Sequence, residues 1–381
     1  MKILYIIVAI LILLLMITIH EFGHYIAGKL LGFKIDEFAI GFGPKLFSKT
    51  KKNGEVFSIR ALPLGGFCAF AGETDEEAIL APEKIKSESK SEGAEVREQS
   101  NQEENQATQT DLRGKKFNEQ PPWKRIIVLM AGGVFNLISA VIFAFIFIVA
   151  AGASTPNVAT VYQSIDNAAV CALESGDKIL EVDGKEIDFN YTLSDALEGK
   201  KEGDVLDILV LRDGQEMTVS TSIREYDTTV TNEDGTPITA IGMGVGLLYE
   251  RATVGEAFKY CVPYTAELSW MILGAFGDLI TGKVPISEVS GPIGTVNQMA
   301  NYGMQNWTYF LLLMPLIAAN LGLFNLFPIP ALDGAKVVFT VIEWIRGKPI
   351  DQNIEGMIHF IGLIVLLALV VILDVYNLIF V

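Results

Sequence analysis

The chain is 381 residues long, half of them hydrophobic, and carries a formal net charge of −16. That apolar content, with a mean hydropathy of +0.38, is rare in a soluble protein of this size and puts the chain in the membrane class. The acidic balance excludes a nucleic-acid partner, which needs clustered Lys and Arg. Cys68, Cys171 and Cys261 are scattered, form no C-x-x-C pair, and point neither to a disulfide framework nor to a thiolate metal site.

A hydrocarbon core of about 30 Å takes about 20 helical residues to cross. Residues 3–31 are the first stretch long and apolar enough; they are too long for a cleaved signal peptide and lack a small-x-small cleavage site, so they read as a retained span within 1–31. Residues 37–70 alternate like strands around Asn53-Gly54, a hairpin signal, inside a region 32–72 that is expected to associate with the membrane. Residues 73–112 are rich in Glu, Ser and Gln and nearly free of aromatics. Such a segment buries too little apolar surface to offset its ordering entropy, so it is predicted to be a disordered part of an acidic cytoplasmic linker, 73–122.

The second span, 126–151, occupies the segment 123–152. A module over 157–223, within 155–225, then has predicted strands at 179–182, 205–211 and 216–222 and a helix near 193–197, separated by Ser175-Gly176-Asp177, Asp183-Gly184 and Asp213-Gly214. In the connector 226–306, Glu267 and Asp278 interrupt the apolar run 262–280, which reads as an interfacial amphipathic helix. The third span, 307–327, continues into a proline-bearing motif that ends at 334. Residues 335–381 hold a loop and the fourth span, 357–380. The expected fold class is an α-helical polytopic membrane protein with four transmembrane helices, a membrane-associated β-hairpin and an inserted β-rich domain.

Basic residues set the orientation. Lys34, Lys45, Lys49, Lys51 and Lys52 follow span one, Lys115, Lys116, Lys124 and Arg125 precede span two, and Lys336, Arg346 and Lys348 lie between spans three and four, whereas none appears between span two and Lys178. The first and third loops are therefore expected in the cytoplasm of a multi-pass plasma-membrane protein, with the β-rich domain outside the cell.

Near the inner end of the first span lies His20-Glu21-Phe22-Gly23-His24, an H-E-x-x-H motif. Helical residues four apart sit about 40° apart in azimuth and about 6 Å along the axis, so both imidazoles face one spot. Two such nitrogens suit Zn2+, and the adjacent carboxylate reaches a water there. Polar side chains are costly inside an apolar span, which favours a functional reading over a helix-face histidine pair. A catalytic zinc takes three protein ligands, leaving His359, the one other histidine, or a carboxylate for the third. Asp333 follows Pro328 and Pro330, whose unwound backbone sets it at the depth of the histidines; it is the expected ligand, with His359 structural or interfacial.

With Gly133-Val-Phe-Asn136, Ser290-Gly-Pro-Ile-Gly294 and Asn325-x-x-Pro-x-Pro-x-Leu-Asp333-Gly334, the H-E-F-G-H motif resembles the bacterial site-2 protease family, in its RseP-like branch, over almost the whole chain and in order. The resemblance implies an intramembrane zinc metalloprotease with a single extracytoplasmic PDZ domain. It also implies that residues 41–66 are a membrane-reentrant β-hairpin. Two departures stand out: the acidic insert is unusually long, and Cys171-Ala172 replaces the usual small-Gly pair, which bears on whether the module grips peptide C-termini.

In this reading His20, His24 and Asp333 hold Zn2+ and Glu21 is the general base. Asn325, Asn136, Gly41, Gly43 and Pro328 are candidate substrate-binding residues, although either asparagine could instead tie helices together. The resemblance implies single-span membrane proteins as substrates, such as a trimmed anti-sigma factor or a signal-peptide remnant, cut in or near the lipid bilayer. The competing classes are a membrane-anchored protease of soluble substrates, a non-catalytic PDZ scaffold and a metal-ion transporter. The first would keep its metal motif out of lipid, the second has no use for Glu21, and the third needs more polar spans.

Overall fold

The computed structural model describes residues 2–73, 114–162, 172–188, 191–231, 237–283 and 291–380. Apart from Glu73, the acidic segment read as disordered lies outside the described residues, as do Cys171 and Ser290. The chain forms two compact units: Met1–Val141 with Leu268–Val381, and Ile142–Glu267.

In chain order the elements are α1 (Lys2–Leu31), β1 (Ile35–Thr50), β2 (Val56–Phe70), a short 3-10 turn (Phe117–Glu119), α2 (Pro122–Ala151), β3 (Ala153–Val161), β4 (Lys178–Val182), β5 (Lys185–Glu186) and α3 (Leu193–Leu197). There follow β6 (Val205–Arg212), β7 (Gln215–Ser222), β8 (Arg224–Thr231), β9 (Pro237–Gly242) and β10 (Val245–Arg251). The chain closes with α4 (Val254–Ile280), α5 (Pro292–Gln305), α6 (Thr308–Leu326), α7 (Asp333–Arg346) and α8 (Gln352–Phe380). Among the described residues, four helical stretches are long and apolar enough to cross a membrane: Lys2–Leu31, Pro122–Ala151, Thr308–Leu326 and Asn353–Tyr376.

Small residues let these helices approach closely, as they do where no hydrophobic drive separates helix from lipid. A Cβ on Gly23 would crowd the Ala131 carbonyl of α2, and one on Gly133 would crowd the Gly322 carbonyl of α6. Asp374, near the C-terminal end of α8, caps α5 by accepting from the backbone N–H groups of Gly294 (3.0 Å) and Ile293 (3.3 Å), two of the orphan donors of a helix start.

β1 and β2 pair antiparallel around a turn at residues 51–55, closed by Gly54 N–H to the Lys51 carbonyl. Both strands bend, so the pair forms four segments. Residues 45–50 lie beside 56–60, and 37–40 lie between 56–59 on one side and 66–69 on the other. The sequence reading, one hairpin across Asn53-Gly54, saw half of this; the bends at Gly41 (φ 86°) and Gly43 (φ 84°) fold the second half in. Phe33, Phe70 and Phe117 form a ring cluster with centroids 5.5–5.8 Å apart, which seats the sheet on the ends of α1 and α2.

The second unit holds a sheet in the order β10-β3-β4-β6-β7, with β5 beside β4. β6 shows the period of two that one buried face demands: Leu206, Ile208 and Val210 are buried, with Val205 and Asp207 outward. Asp183-Gly184 and Asp213-Gly214 make two-residue turns with φ positive at both positions, the I′ geometry that asparagine, aspartate and glycine tolerate. β10 extends the sheet past residue 225, where the sequence suggested the module ends, and returns the chain to its entry point: Ala252 N–H donates to the Gly152 carbonyl at 3.0 Å.

Two further differences concern helices. The amphipathic segment begins at Val254 rather than 262, because Thr253 and Glu256 form a capping box there, with Pro263 carried inside the helix. The region read as a loop after residue 334 contains the 14-residue α7, ended by Gly347 in the left-handed region at φ 64°.

Candidate metal centre

His20 and His24 lie one turn apart on the buried side of α1, their rings edge to face with centroids 4.8 Å apart. Asp333 opens α7 just after the proline-broken segment 327–332. Its Oδ2 lies 3.0 Å from His20 Nε2 and 3.1 Å from His24 Nε2, and the two Nε2 atoms are 3.2 Å apart. Three donor atoms thus share one small triangle. A tetrahedral zinc with bonds near 2.0–2.2 Å sets its donors about 3.3 Å apart, so a spread of a few tenths of an ångström accommodates the ion. Two imidazoles and one carboxylate are also the donor set of a catalytic zinc that keeps its fourth position open.

The surroundings prepare this triangle. His24 Nδ1 lies 2.8 Å from the Val128 carbonyl of α2; donating its proton there fixes the tautomer that leaves Nε2 a lone pair. Gly132, also on α2, faces the rings, and a Cβ there would fall on His24 Nε2 and the His20 imidazole. Glu21 sits beside the pair, and its carboxylate accepts from the backbone N–H of Cys68 on β2. Gly66 passes near the Glu21 side chain, so the 66–70 segment of the sheet borders the cluster.

The other candidates are placed differently. Asn136 is fully buried with Nδ2 3.5 Å from His20 Nδ1, and its Oδ1 has no hydrogen-bond partner among the described residues. Asn325 donates to the Leu321 carbonyl of its own helix at 2.9 Å. Gly41 and Gly43 form the bend of β1, and Pro328 lies in the break between α6 and α7. His359 is outside the triangle: its Nδ1 accepts from Ala331 N–H at 3.1 Å. Sequence reasoning missed Gly132 and the Cys68 amide, whose contributions are an absent side chain and a backbone group. It also missed Glu55, which ties the hairpin turn to α1. Glu55 accepts from Tyr25 (2.6 Å), Lys51 (2.7 Å) and Asn53 (3.2 Å) and pairs with Lys29 at 2.9 Å.

Comparison with known proteins agrees with this geometry. The model of peptidase family M50 matches residues 8–369. The chain belongs to peptidase family M50. This M50 peptidase is 29% identical to a protein of Oceanobacillus iheyensis named zinc metalloprotease RasP, with 94% of each chain covered. It is 31% identical to a putative zinc metalloprotease of Agrobacterium fabrum, covering 96% of this chain and 93% of the relative. It is 29% identical to the regulator of sigma-W protease RasP of Bacillus subtilis, again with 94% of each covered. The M50 chain is a membrane zinc metalloendopeptidase of the site-2 protease type.

Proposed function

We propose that the protein cuts single-span membrane proteins within or near the bilayer. His20, His24 and Asp333 hold the zinc and Glu21 is the general base. The observation that carries this is the meeting of His20, His24 and Asp333 around an H-E-x-x-H inside an apolar helix, with Glu21 beside the pair. A zinc ion held by these three residues would supply Lewis-acid polarisation of the scissile carbonyl and a water whose lowered pKa lets it act as hydroxide near neutral pH. Glu21 takes the proton of the attacking water and delivers it to the leaving amide nitrogen, a role whose loss costs on the order of 10²–10⁴ in rate. The Val128 carbonyl holds the His24 imidazole from behind, and the Asn136 amide, turned so that Oδ1 accepts from His20 Nδ1–H, would do the same for His20, so we group Asn136 with the histidines rather than with substrate.

A helical substrate shields its peptide bonds, so it must be unwound beside Glu21. The sheet edge 66–70, already bonded to Glu21 through Cys68 N–H, offers backbone pairing to an extended segment. Gly41 and Gly43 shape that sheet, while Asn325 and Pro328 flank the approach along the α6 break. The β-rich unit is read as a PDZ domain outside the cell, tethering substrate or excluding large ectodomains, with the lysine-bearing loops in the cytoplasm. The Bacillus subtilis relative is named a regulator of sigma-W, which supports a part in sigma-factor control; an anti-sigma factor and signal-peptide remnants are the substrates we infer for this site.

The test is cleavage of a tagged single-span substrate in membranes by wild type and Glu21→Gln, with and without a zinc chelator. Wild-type cleavage that both treatments stop, with zinc content unchanged in Glu21→Gln, supports the reading. Cleavage by Glu21→Gln at the wild-type rate removes Glu21 from the chemistry.

A further inference from the structure

Asp333 is aimed by backbone that is neither helical nor relaxed. Between α6 and α7 the chain turns through two short-range bonds, Ile329 N–H to the Phe327 carbonyl (2.8 Å) and Leu332 N–H to the Ile329 carbonyl (3.0 Å). Ala331 sits in this segment with φ at 80°, one of three non-glycine residues with positive φ among the described residues; the others, Asp183 and Asp213, are turn aspartates. Alanine carries the Cβ that makes this conformation unfavourable and has no polar side chain to compensate, so the surroundings must impose it.

The surroundings that do so belong to α8. His359 is 1% exposed, and its Nδ1 accepts from Ala331 N–H at 3.1 Å. Its ring packs against Phe339 of α7 at 5.5 Å. One turn further along α8, Gly362 approaches Pro330 so closely that a Cβ would collide with the proline. α8 therefore grips two successive residues, Pro330 and Ala331, just before the carboxylate that meets the histidines.

We propose that His359 is a positioning residue for the metal site. Its Nδ1 lone pair holds Ala331 in the left-handed turn and so keeps Asp333 in register with His20 and His24. His359 lies outside the triangle of His20, His24 and Asp333; it acts through the backbone, on metal retention. This rests on Asp333 as a ligand.

The experiment follows zinc loss to a chelator from the full-length protein in detergent, for wild type, Asp333→Ala, His359→Leu, His359→Asn, His359→Gln and the double variant His359→Leu/Ala331→Gly. His359→Leu is expected to release zinc about tenfold faster or more, the scale of losing an outer support of a metal ligand. His359→Asn sets an amide oxygen where Nδ1 was and should stay within about twofold of wild type, ahead of His359→Gln, whose oxygen falls nearer Nε2. Adding Ala331→Gly to His359→Leu should recover part of the loss, because glycine holds φ 80° without a brace. Wild-type retention in a folded His359→Leu overturns the proposal while Asp333→Ala still loses zinc. If His359→Leu does not fold, the Asn and Gln variants decide, and equal retention by the two overturns it. Retention by Asp333→Ala removes the ligand assignment and this proposal with it.

Discussion

At the scale of single residues, the metal centre depends as much on missing atoms as on donor atoms. Gly132→Ala should fold, since alanine improves helix propensity by up to about 1 kcal/mol, yet its Cβ would occupy the space of His24 Nε2 and the His20 ring. The expected result is zinc retention weakened by about 10–100-fold with α-helical circular dichroism unchanged. Gly133→Ala should do the reverse, striking the Gly322 carbonyl across the α2–α6 contact and lowering the melting temperature before it affects the metal. Equal zinc retention in Gly132→Ala and wild type would remove the glycine from the site. This contrast explains what the sequence could name. His20, Glu21, His24 and Asp333 are chemical groups at a diagnostic spacing; the histidines and Asp333 do meet, with Glu21 beside them. Gly132 looks like any small residue in an apolar helix, and the Cys68 amide is common to every residue, so nothing in a single sequence marks either one.

At the scale of elements, the legible parts are those governed by local rules: apolar length for the spans, Asp-Gly for the tight turns, proline for the α6 break. The bent sheet was only half legible because its second set of pairings depends on contacts far apart in sequence, and on Glu55 anchoring the turn to α1. Burial pushes the Glu55 carboxyl up, but the bonds from Lys51, Tyr25, Lys29 and Asn53 outweigh it and hold the group down at about 2. A carboxylate held below its ordinary value of 4.5 contributes stability that is complete above about pH 5 and is lost as the pH falls toward 2. The melting temperature of zinc-free wild type should therefore exceed that of Glu55→Gln by a margin that is constant from pH 7 to about 5 and narrows toward pH 2 to 3. A margin that does not change over that range would mean that the Glu55 carboxylate contributes no net charge-dependent stability.

At the scale of the whole molecule, the β-rich unit enters and leaves the chain at one point, since β10 pairs with β3 and Ala252 bonds to Gly152. A gap whose two ends already share a backbone hydrogen bond closes with a loop of about two to five residues. Its own buried core, Ile179, Leu206, Ile208 and Val210 among others, gives the unit a separate means of folding. Replacing residues 153–251 by such a loop should thus leave zinc binding intact and preserve cleavage of a single-span substrate whose outer domain has been trimmed away. If the unit excludes large ectodomains, the shortened enzyme should also cut the untrimmed substrate at a rate approaching that of the trimmed one, where wild type strongly prefers the latter. The decisive quantity is the ratio of the two cleavage rates in the same membranes. A ratio unchanged by the deletion assigns the preference to the membrane-embedded unit. Loss of both activities with zinc retained makes the β-rich unit a tether that delivers substrate, and only a ratio that falls toward one leaves it as a filter.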